Sequence, residues 1–375
     1  MEHIPLKLFS VEEAKPLEFA VIVPVLNERD NVGPLLQDIS IALAGIEWEV
    51  VFVDDGSTDG TIEVLERLAL HDQRVRLVRR IGRRGLSSAV IEGFLATVAP
   101  IVSVIDGDRQ HDERLLPEMF QAIAAKDFQM AVGTRYAGGG SVGEWATARV
   151  RISKFATSLA SLVTKTPLSD PMSGFFAVRR ETFIGLVPQL SKMGYKILLD
   201  VVASSKNPLR IVELPYEFRT RIAGESKLDN MVALEYVELL LDKMIGKYIP
   251  VKLLMFGTIG AMGAVIHLSL LGTLMNASSV TFSTSQALAT FGAMLFNYTL
   301  NNEFTHRDRK LRGSKWVTGL ISFCLACGFG AVANVGLGSL LYAESWSWWA
   351  AGLAGAAIGS VWNYVATSWL TWRTR

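Results

Sequence analysis

The sequence predicts two different materials in one chain. A Rossmann-like α/β domain with a mostly parallel sheet comes first, and an all-α domain of four transmembrane helices follows. Three observations carry this. Apolar runs such as Phe19–Val23 and Val50–Val53 have the pattern of strands buried on both faces. Stretches of helical spacing separate them. No Asp, Glu, Lys or Arg occurs between Lys252 and Glu303, and from Trp316 to Trp372 the only charge is Glu344.

The 375 residues leave room for two or three domains. We divide them into a leader (1–18), an α/β domain (19–227), an amphipathic helix (228–250) and a membrane domain (251–375). Hydrophobic residues make up 50% and charged ones 19%, with a net charge of +1. That average describes neither half, and no basic, aromatic-laced motif of nucleic-acid binding occurs. The leader carries Glu2, Lys7, Glu12, Glu13 and Lys15 and lacks the apolar run of a signal peptide. Cys324 and Cys327 are spaced like a redox pair but sit in an apolar span, so they read as packing residues, with no disulfide framework.

Phe19–Val23 is the first strand and ends at Pro24-Val-Leu-Asn-Glu28; a helix follows over 32–43. The second strand, 49–53, ends at Asp54-Asp-Gly-Ser-Thr-Asp59, before a helix over 61–70. Residues 75–78 form the third strand. Gly82 to Gly85 make a basic turn before a helix over 86–97. The central strand then ends in Asp106-Gly-Asp-Arg-Gln110. Such alternation implies parallel strands with right-handed crossovers, whose ligands bind outside the carboxyl ends of the strands. A dinucleotide site is disfavoured, because no Gly-x-Gly-x-x-Gly follows the first strand.

Asp106 and Asp108 stand one residue apart where the central strand emerges, and Gln110 adds a neutral oxygen. Hard divalent cations such as Mg²⁺ or Mn²⁺ take oxygen ligands, often one or two carboxylates plus substrate phosphates. These three residues are therefore the candidate metal ligands, gripping a diphosphate. A lone Asp-x-Asp is also an ordinary polar turn; its company decides the matter.

That company is an ordered set: Pro24-Val-Leu-Asn27-Glu28, Val53-Asp-Asp-Gly-Ser-Thr-Asp59, Asp106-Gly-Asp-Arg-Gln110, Gly133-Thr-Arg-Tyr136, Gly138-Gly-Gly140, Trp145, Arg149, Ser153, Ser169-Asp-Pro-Met-Ser-Gly-Phe175 and Arg221-Ile-Ala-Gly-Glu-Ser-Lys227. Over residues 19–229 it resembles the dolichol-phosphate (polyprenyl-phosphate) mannosyltransferases, inverting family 2 glycosyltransferases with the GT-A fold. The family usually has Asp-Ala-Asp where this chain has Asp-Gly-Asp, a change that keeps both carboxylates.

The resemblance implies transfer of a sugar, mannose from GDP-mannose, to the phosphate of a membrane polyprenol, dolichyl or undecaprenyl. Asp108 is then catalytic through the metal. Pro24, Val25, Asn27, Glu28 and Asp55 form the nucleoside pocket, with Asp106 beside them. Asp54 and Asp55 suit helix capping equally well. Arg135, Arg149 and Ser153 hold the lipid phosphate, since guanidinium groups grip phosphate in a fork; Arg151 and Lys154 are close enough in sequence to exchange with Arg149. Arg221 and Lys227 belong to a Gly-hinged segment that closes over the diphosphate. Arg80, Arg83 and Arg84 form a cluster suited to a diphosphate or to solvent, with at least one of them expected to be solvated. His111 reads as a supporting or exposed side chain rather than a ligand.

Residues 228–249 alternate apolar and charged positions at helical spacing, as a membrane-surface helix does; packing on the α/β domain fits the same pattern. Four spans follow, over 252–275, 280–300, 316–342 and 346–371, each long enough for a hydrocarbon core of about 30 Å. Lys and Arg concentrate in 306–315 and at 373–375 and are absent from 276–279 and 343–345. The positive-inside rule then places the catalytic domain, the middle loop and the C-terminus in the cytoplasm. Asn297-Tyr298 precedes Arg307 as Asn363-Tyr364 precedes Arg373, so two hairpins repeat, as in the GtrA-type modules that accompany such transferases. Asn in a span usually bonds to a neighbouring helix.

The chief rivals are a polyprenyl-phosphate glucosyltransferase using UDP-glucose, a transferase of a modified sugar, and, from another class, a flippase or transporter of lipid-linked sugar. A processive polysaccharide synthase is disfavoured, because its Gln-x-x-Arg-Trp motif is missing. The sequence leaves a homo-oligomer open.

Overall fold

The computed structural model describes residues 15–136, 138, 156–191, 195–219, 230–246, 251–277, 281–305 and 310–356. They fall into two compact units, Met1–Met244 and Ile245–Arg375.

In the first unit β1 (Phe19–Val25), α1 (Arg29–Ala42), β2 (Trp48–Asp54), α2 (Thr61–His71), β3 (Val75–Arg79), α3 (Leu86–Ala96) and β4 (Ile101–Val104) alternate as the sequence predicts. Then come α4 (Leu116–Lys126), β5 (Met130–Thr134), β6 (Phe176–Arg179), α5 (Arg180–Leu186), α6 (Ile197–Ser204) and β7 (Ile211–Pro215). The seven strands form one sheet in the order β3-β2-β1-β4-β6-β5-β7. It is mostly parallel; only β6 runs against its neighbours β4 and β5.

Alternation along each strand sorts side chains into two layers. Phe19, Val21 and Val23 pack with Val32, Leu35 and Ile39 of α1 and Leu116 and Met119 of α4. Ala20 and Ile22 face the other way, with Ala89, Val90 and Phe94 of α3 and Val201 of α6. A strand apolar at every position therefore needs helices on both sides of the sheet.

The antiparallel β6 does most to shape the carboxyl edge. Its first residue, Phe176, pairs with Val104, the last residue of β4. The segment 169–175 is thereby delivered to the edge where β4, β5 and β7 end.

A further helix, α7 (Asn230–Ile245), buries Tyr236, Leu239 and Leu240 against Ala160 and Leu199 of this unit. Lys243 Nζ lies 2.5 Å from Asp200 Oδ1 and donates to Ser204 Oγ. The sequence pattern suggests a membrane surface for this helix; these contacts seat it on the α/β unit, with Val237 and Met244 exposed. An amphipathic stripe is satisfied by either apolar surface, so periodicity alone does not choose.

The second unit contains α8 (Val251–Ala277), α9 (Phe282–Leu300), a π-helical turn (Asn301–Thr305), α10 (Ser314–Ala343) and a helix over 348–356. Leu254–Asn276 is by itself long and apolar enough to cross a membrane. The two halves of α10 meet that standard together, bent by 47°. Gln286 Nε2 donates to Asn334 Oδ1 at 2.6 Å, joining α9 to α10. Gly263 of α8 leaves room for Asn297, whose Oδ1 would stand 2.2 Å from an added Cβ. His267, Asn297 and Asn334 line a cavity of about 50 Å³ between these helices. Asn363, the repeat partner of Asn297, lies outside the described residues.

Candidate active site

The loops after β1 and β2 are joined before they build anything. Asn27, at φ 55°, adopts the left-handed conformation that Asn tolerates. Its N–H donates to Ser57 Oγ and its Oδ1 accepts from Thr58 N–H, both at 2.9 Å. Glu28 N–H donates to Thr61 Oγ1, Arg29 N–H to Asp59 Oδ2 and Asp55 N–H to Val25 O. Pro24, Val25, Asn27 and Glu28 thus form one wall with the aspartates of the β2 loop.

Those two aspartates do different things. Asp54 is fully buried and accepts from the Gly56 and Ser57 N–H groups, closing its own turn. Asp55 accepts from Gly85 N–H at 2.7 Å and from Arg80 Nη1. Arg80 is only 3% exposed and also donates to Gly85 O and Ser88 Oγ. It fixes the Asp55 carboxylate rather than standing in solvent. Arg83 is exposed and pairs with Glu92, while Arg84 reaches Gly56 O at 3.4 Å.

After β4 the chain passes Asp106, Gly107 and Asp108. A Cβ on Gly107 would come within 2.9 Å of Val25 Cγ1, so glycine lets this turn lie against β1. Arg109 turns away to Asp38 of α1 at 2.8 Å, which leaves the two aspartates at the edge. Asp108 is buried, and its Oδ1 accepts from Gln110 N–H. Gln110 Nε2 donates to Arg219 O at 3.0 Å, so the side-chain oxygen is the atom Gln110 has to offer a cation.

Asp106 keeps 36% of its side chain exposed, with Oδ2 3.0 Å from His111 Nε2. Burial raises its pKa, but the hydrogen bond and charge of His111, with the charges of Lys196 and Arg135, bring it below the ordinary carboxylate value. An ionised carboxylate is the hard ligand that Mg²⁺ or Mn²⁺ prefers. Among the described residues no group of three or more His, Cys, Asp or Glu side chains is set to enclose a metal. Two carboxylates and one amide oxygen fit a cation that completes its shell with substrate phosphate.

From the β5 and β6 side, Arg135 follows the end of β5 and is 8% exposed; Asp170 is fully buried. Arg135 Nε donates to Asp170 Oδ2 at 2.7 Å and Nη2 to Oδ1 at 2.9 Å. Burial lowers the arginine pKa, but Asp170 more than reverses this, so the charge is kept. Further along the same segment, a Cβ on Gly174 would lie 2.9 Å from Asp106 Oδ2. The Ser-Asp-Pro-Met-Ser-Gly-Phe stretch thus touches both the fork of Arg135 and the carboxylate of Asp106.

The exit of β7 completes the edge. Tyr216 Oη lies 2.8 Å from His111 Nδ1, and burial pushes its phenol far above the ordinary value. Arg219 holds Glu113 at 2.7 Å and Asp112 at 2.8 Å, and its N–H donates to Gln110 O. Arg219 thereby fastens the chain after β7 to the loop that follows β4.

Of the residues singled out in sequence, Pro24, Val25, Asn27, Glu28, Asp55, Asp106, Asp108, Gln110 and Arg135 come together at this edge. Arg149, Ser153, Arg221 and Lys227 lie outside the described residues. Sequence reasoning missed the bracing roles of Arg80, Asp170, Tyr216 and Arg219. Asp170 alone had a signal, its place in the Ser169–Phe175 motif.

Comparison with known proteins gives two family matches. Residues 20–186 match the model for glycosyl transferase family 2, and residues 255–372 that for the GtrA/DPMS transmembrane domain. A dolichol-phosphate mannosyltransferase of Pyrococcus furiosus is 32% identical over 96% of this chain and all of its own length. The enzyme of that name from Saccharomyces cerevisiae is 34% identical, over 64% of this chain and 92% of its own. Among solved structures, glucosyl-3-phosphoglycerate synthase from Mycobacterium tuberculosis, in complex with Mn²⁺, UDP and phosphoglyceric acid, is 22% identical, with a TM-score of 0.43 over 60% of this chain and 78% of that one.

Proposed function

Because this chain belongs to the dolichol-phosphate mannosyltransferases of glycosyl transferase family 2, we infer that it moves mannose from GDP-mannose to the phosphate of a membrane polyprenol, inverting the anomeric carbon. The observation that carries the chemistry is the meeting of Asp106 and Asp108 with the Arg135–Asp170 pair at one sheet edge.

The bond from the sugar to the diphosphate breaks as a lipid-phosphate oxygen forms a new bond on the opposite face. GDP leaves, and mannosyl phosphoryl polyprenol is the product. The attacking phosphate is already ionised near neutral pH, so no strong general base is required. Positioning and screening of charge carry the catalysis. A divalent cation on Asp106, Asp108 and Gln110 would neutralise the charge that builds on the departing diphosphate. Pro24, Val25, Asn27, Glu28 and Asp55 are the proposed nucleoside wall, with Arg80 steadying Asp55. Arg221 and Lys227 are assigned to the diphosphate, and Arg149 and Ser153, together with the charge of Arg135, to the lipid phosphate.

The GtrA/DPMS domain associates the chain with a membrane. A multi-pass arrangement with the catalytic unit in the cytoplasm follows from the placement of Lys and Arg. The test is incubation of the purified full-length protein with Mg²⁺ or Mn²⁺, a polyprenyl phosphate and a panel of nucleotide sugars. GDP-mannose should be consumed and a mannosyl lipid formed. Turnover of UDP-glucose alone would replace the sugar while keeping the reaction class, and no transfer from any donor would sink the reading.

A further inference from the structure

His111 is an enclosed polar side chain beside the two aspartates. It is 2% exposed, and its ring centroid lies 5.2 Å from that of Phe175, 5.6 Å from Tyr216 and 5.5 Å from Phe218. Both ring nitrogens are engaged: Nε2 with Asp106 Oδ2 at 3.0 Å, and Nδ1 with Tyr216 Oη at 2.8 Å. The two contacts fix the orientation of the ring. An ionised carboxylate only accepts, so Nε2 carries the proton. Nδ1 and the Tyr216 hydroxyl form the second hydrogen bond, which braces the ring from the side away from Asp106.

The orientation of Asp106 follows. His111 engages Oδ2, and Gly174 packs against the same carboxylate. Rotation about the terminal bond, ordinarily broad for Asp, would break the His111 bond. We propose that His111, braced by Tyr216, is a positioning residue for the divalent cation: it turns Asp106 so that Oδ1 faces the metal. This rests on the proposed metal site and adds to it a support that reaches from the β4 exit to the β7 exit. Partners that orient metal-bound carboxylates typically change metal affinity or activity about 10–100-fold when removed.

The experiment titrates Mn²⁺ into the full-length protein with GDP present and follows free Mn²⁺ by electron paramagnetic resonance. Asp106→Asn and Asp108→Asn serve as controls on the metal site itself. For His111→Ala the Mn²⁺ Kd should rise about 10–100-fold, while the rate at saturating Mn²⁺ recovers toward wild type because all three proposed ligands remain. His111→Gln should restore most of the affinity, since its amide can place an N–H where ring Nε2 stands. Tyr216→Phe should fall between, because the ring loses the hydroxyl that holds its orientation. Wild-type affinity in His111→Ala, together with loss in Asp106→Asn, would overturn the proposal and leave the metal site standing. Unchanged binding in both aspartate variants would overturn the metal site. If His111→Ala does not fold, His111→Gln and Tyr216→Phe decide: wild-type affinity in Tyr216→Phe, or loss in His111→Gln as deep as in Asp106→Asn, overturns it.

Discussion

Arg135 and Asp170 meet in a two-point ion pair at the carboxyl edge of the sheet, 2.7 Å between Nε and Oδ2 and 2.9 Å between Nη2 and Oδ1. The sequence assigns Arg135 to the lipid phosphate. The structure gives two of its donors to a carboxylate 35 residues further on, which fixes the direction of the guanidinium plane. Its positive charge then acts on the pocket as a field, from a fixed place.

Breaking that pair should be costly. Asp170→Ala leaves the Arg135 charge buried beside apolar rings, and removing one partner of a buried pair typically costs about 3–5 kcal/mol. We expect a clear drop in the unfolding temperature of the α/β unit, a smaller one for Asp170→Asn, and a double Arg135→Ala/Asp170→Ala loss below the sum of the singles. Thermal unfolding of the four proteins checks this; additive losses would mean the pair is not coupled.

Asp108→Asn should abolish transfer and leave folding and membrane insertion intact. The carboxamide has nearly the shape of the carboxylate and still accepts from Gln110 N–H, but it lacks the charge a divalent cation requires. Turnover with saturating Mn²⁺ and the unfolding temperature, measured together, decide it. Full metal-dependent turnover would remove Asp108 from the site.

Asp59 ties the β2 loop to α1 and predicts a pH dependence. Burial raises its pKa, but hydrogen bonds from Thr61 and Arg29 bring it below the ordinary value of 3.8. The folded state therefore holds this proton less tightly than the unfolded chain. Its stabilisation is fully present above the unfolded value and lost as pH falls through the folded one. The gap in unfolding temperature between the wild type and Asp59→Asn should be open at neutral pH and close below 3.8. A gap that widened on acidification would reverse the sign of the argument.

Much of the fold is legible in sequence because its causes are local. Strands buried on both faces must be mostly apolar, so β1, β2 and β4 announce themselves, and the acidic residues after β2 and β4 mark the edge proposed for the ligands. The antiparallel β6 is not legible. Phe176–Arg179 looks like any short apolar run, and its direction is set by pairing with β4, more than 70 residues earlier in the chain. Asp170 and Gly174 reach Arg135 and Asp106 only through that strand. From sequence His111 reads as supporting or exposed; its enclosure depends on Phe175, Tyr216 and Phe218, which no sequence window contains. Arg80 misleads for a similar reason, since charge runs are usually solvated and only the fold places Asp55 and Ser88 around it.

Topology offers an independent check. Reporters fused after Arg312 and after Arg375 should both read cytoplasmic, and one near Ser278 should read external, because Lys and Arg crowd the first two positions and avoid the third. An external reading at Arg312 would break the four-span arrangement and separate the catalytic unit from its lipid face.

The two arginines assigned to the acceptor should part company. Arg149 is expected to bind the lipid phosphate directly, so Arg149→Ala should raise the apparent KM for polyprenyl phosphate. A lost charge-assisted contact is worth about 1.5–3 kcal/mol, or roughly tenfold to a hundredfold. GDP binding should change little, because Asp55 and the Asp106–Gln110 loop are the groups proposed to hold that end. Arg149→Lys should recover only part, since a point charge cannot reproduce the fork. Arg135→Ala should behave differently: it strands the buried Asp170, so unfolding temperature and rate fall together, with the acceptor KM moving less than in Arg149→Ala. Calorimetry with GDP beside acceptor kinetics separates the cases. If Arg149→Ala lost GDP binding while its acceptor dependence stayed normal, Arg149 would belong to the diphosphate, and the division of the pocket between donor and acceptor would have to be redrawn around it.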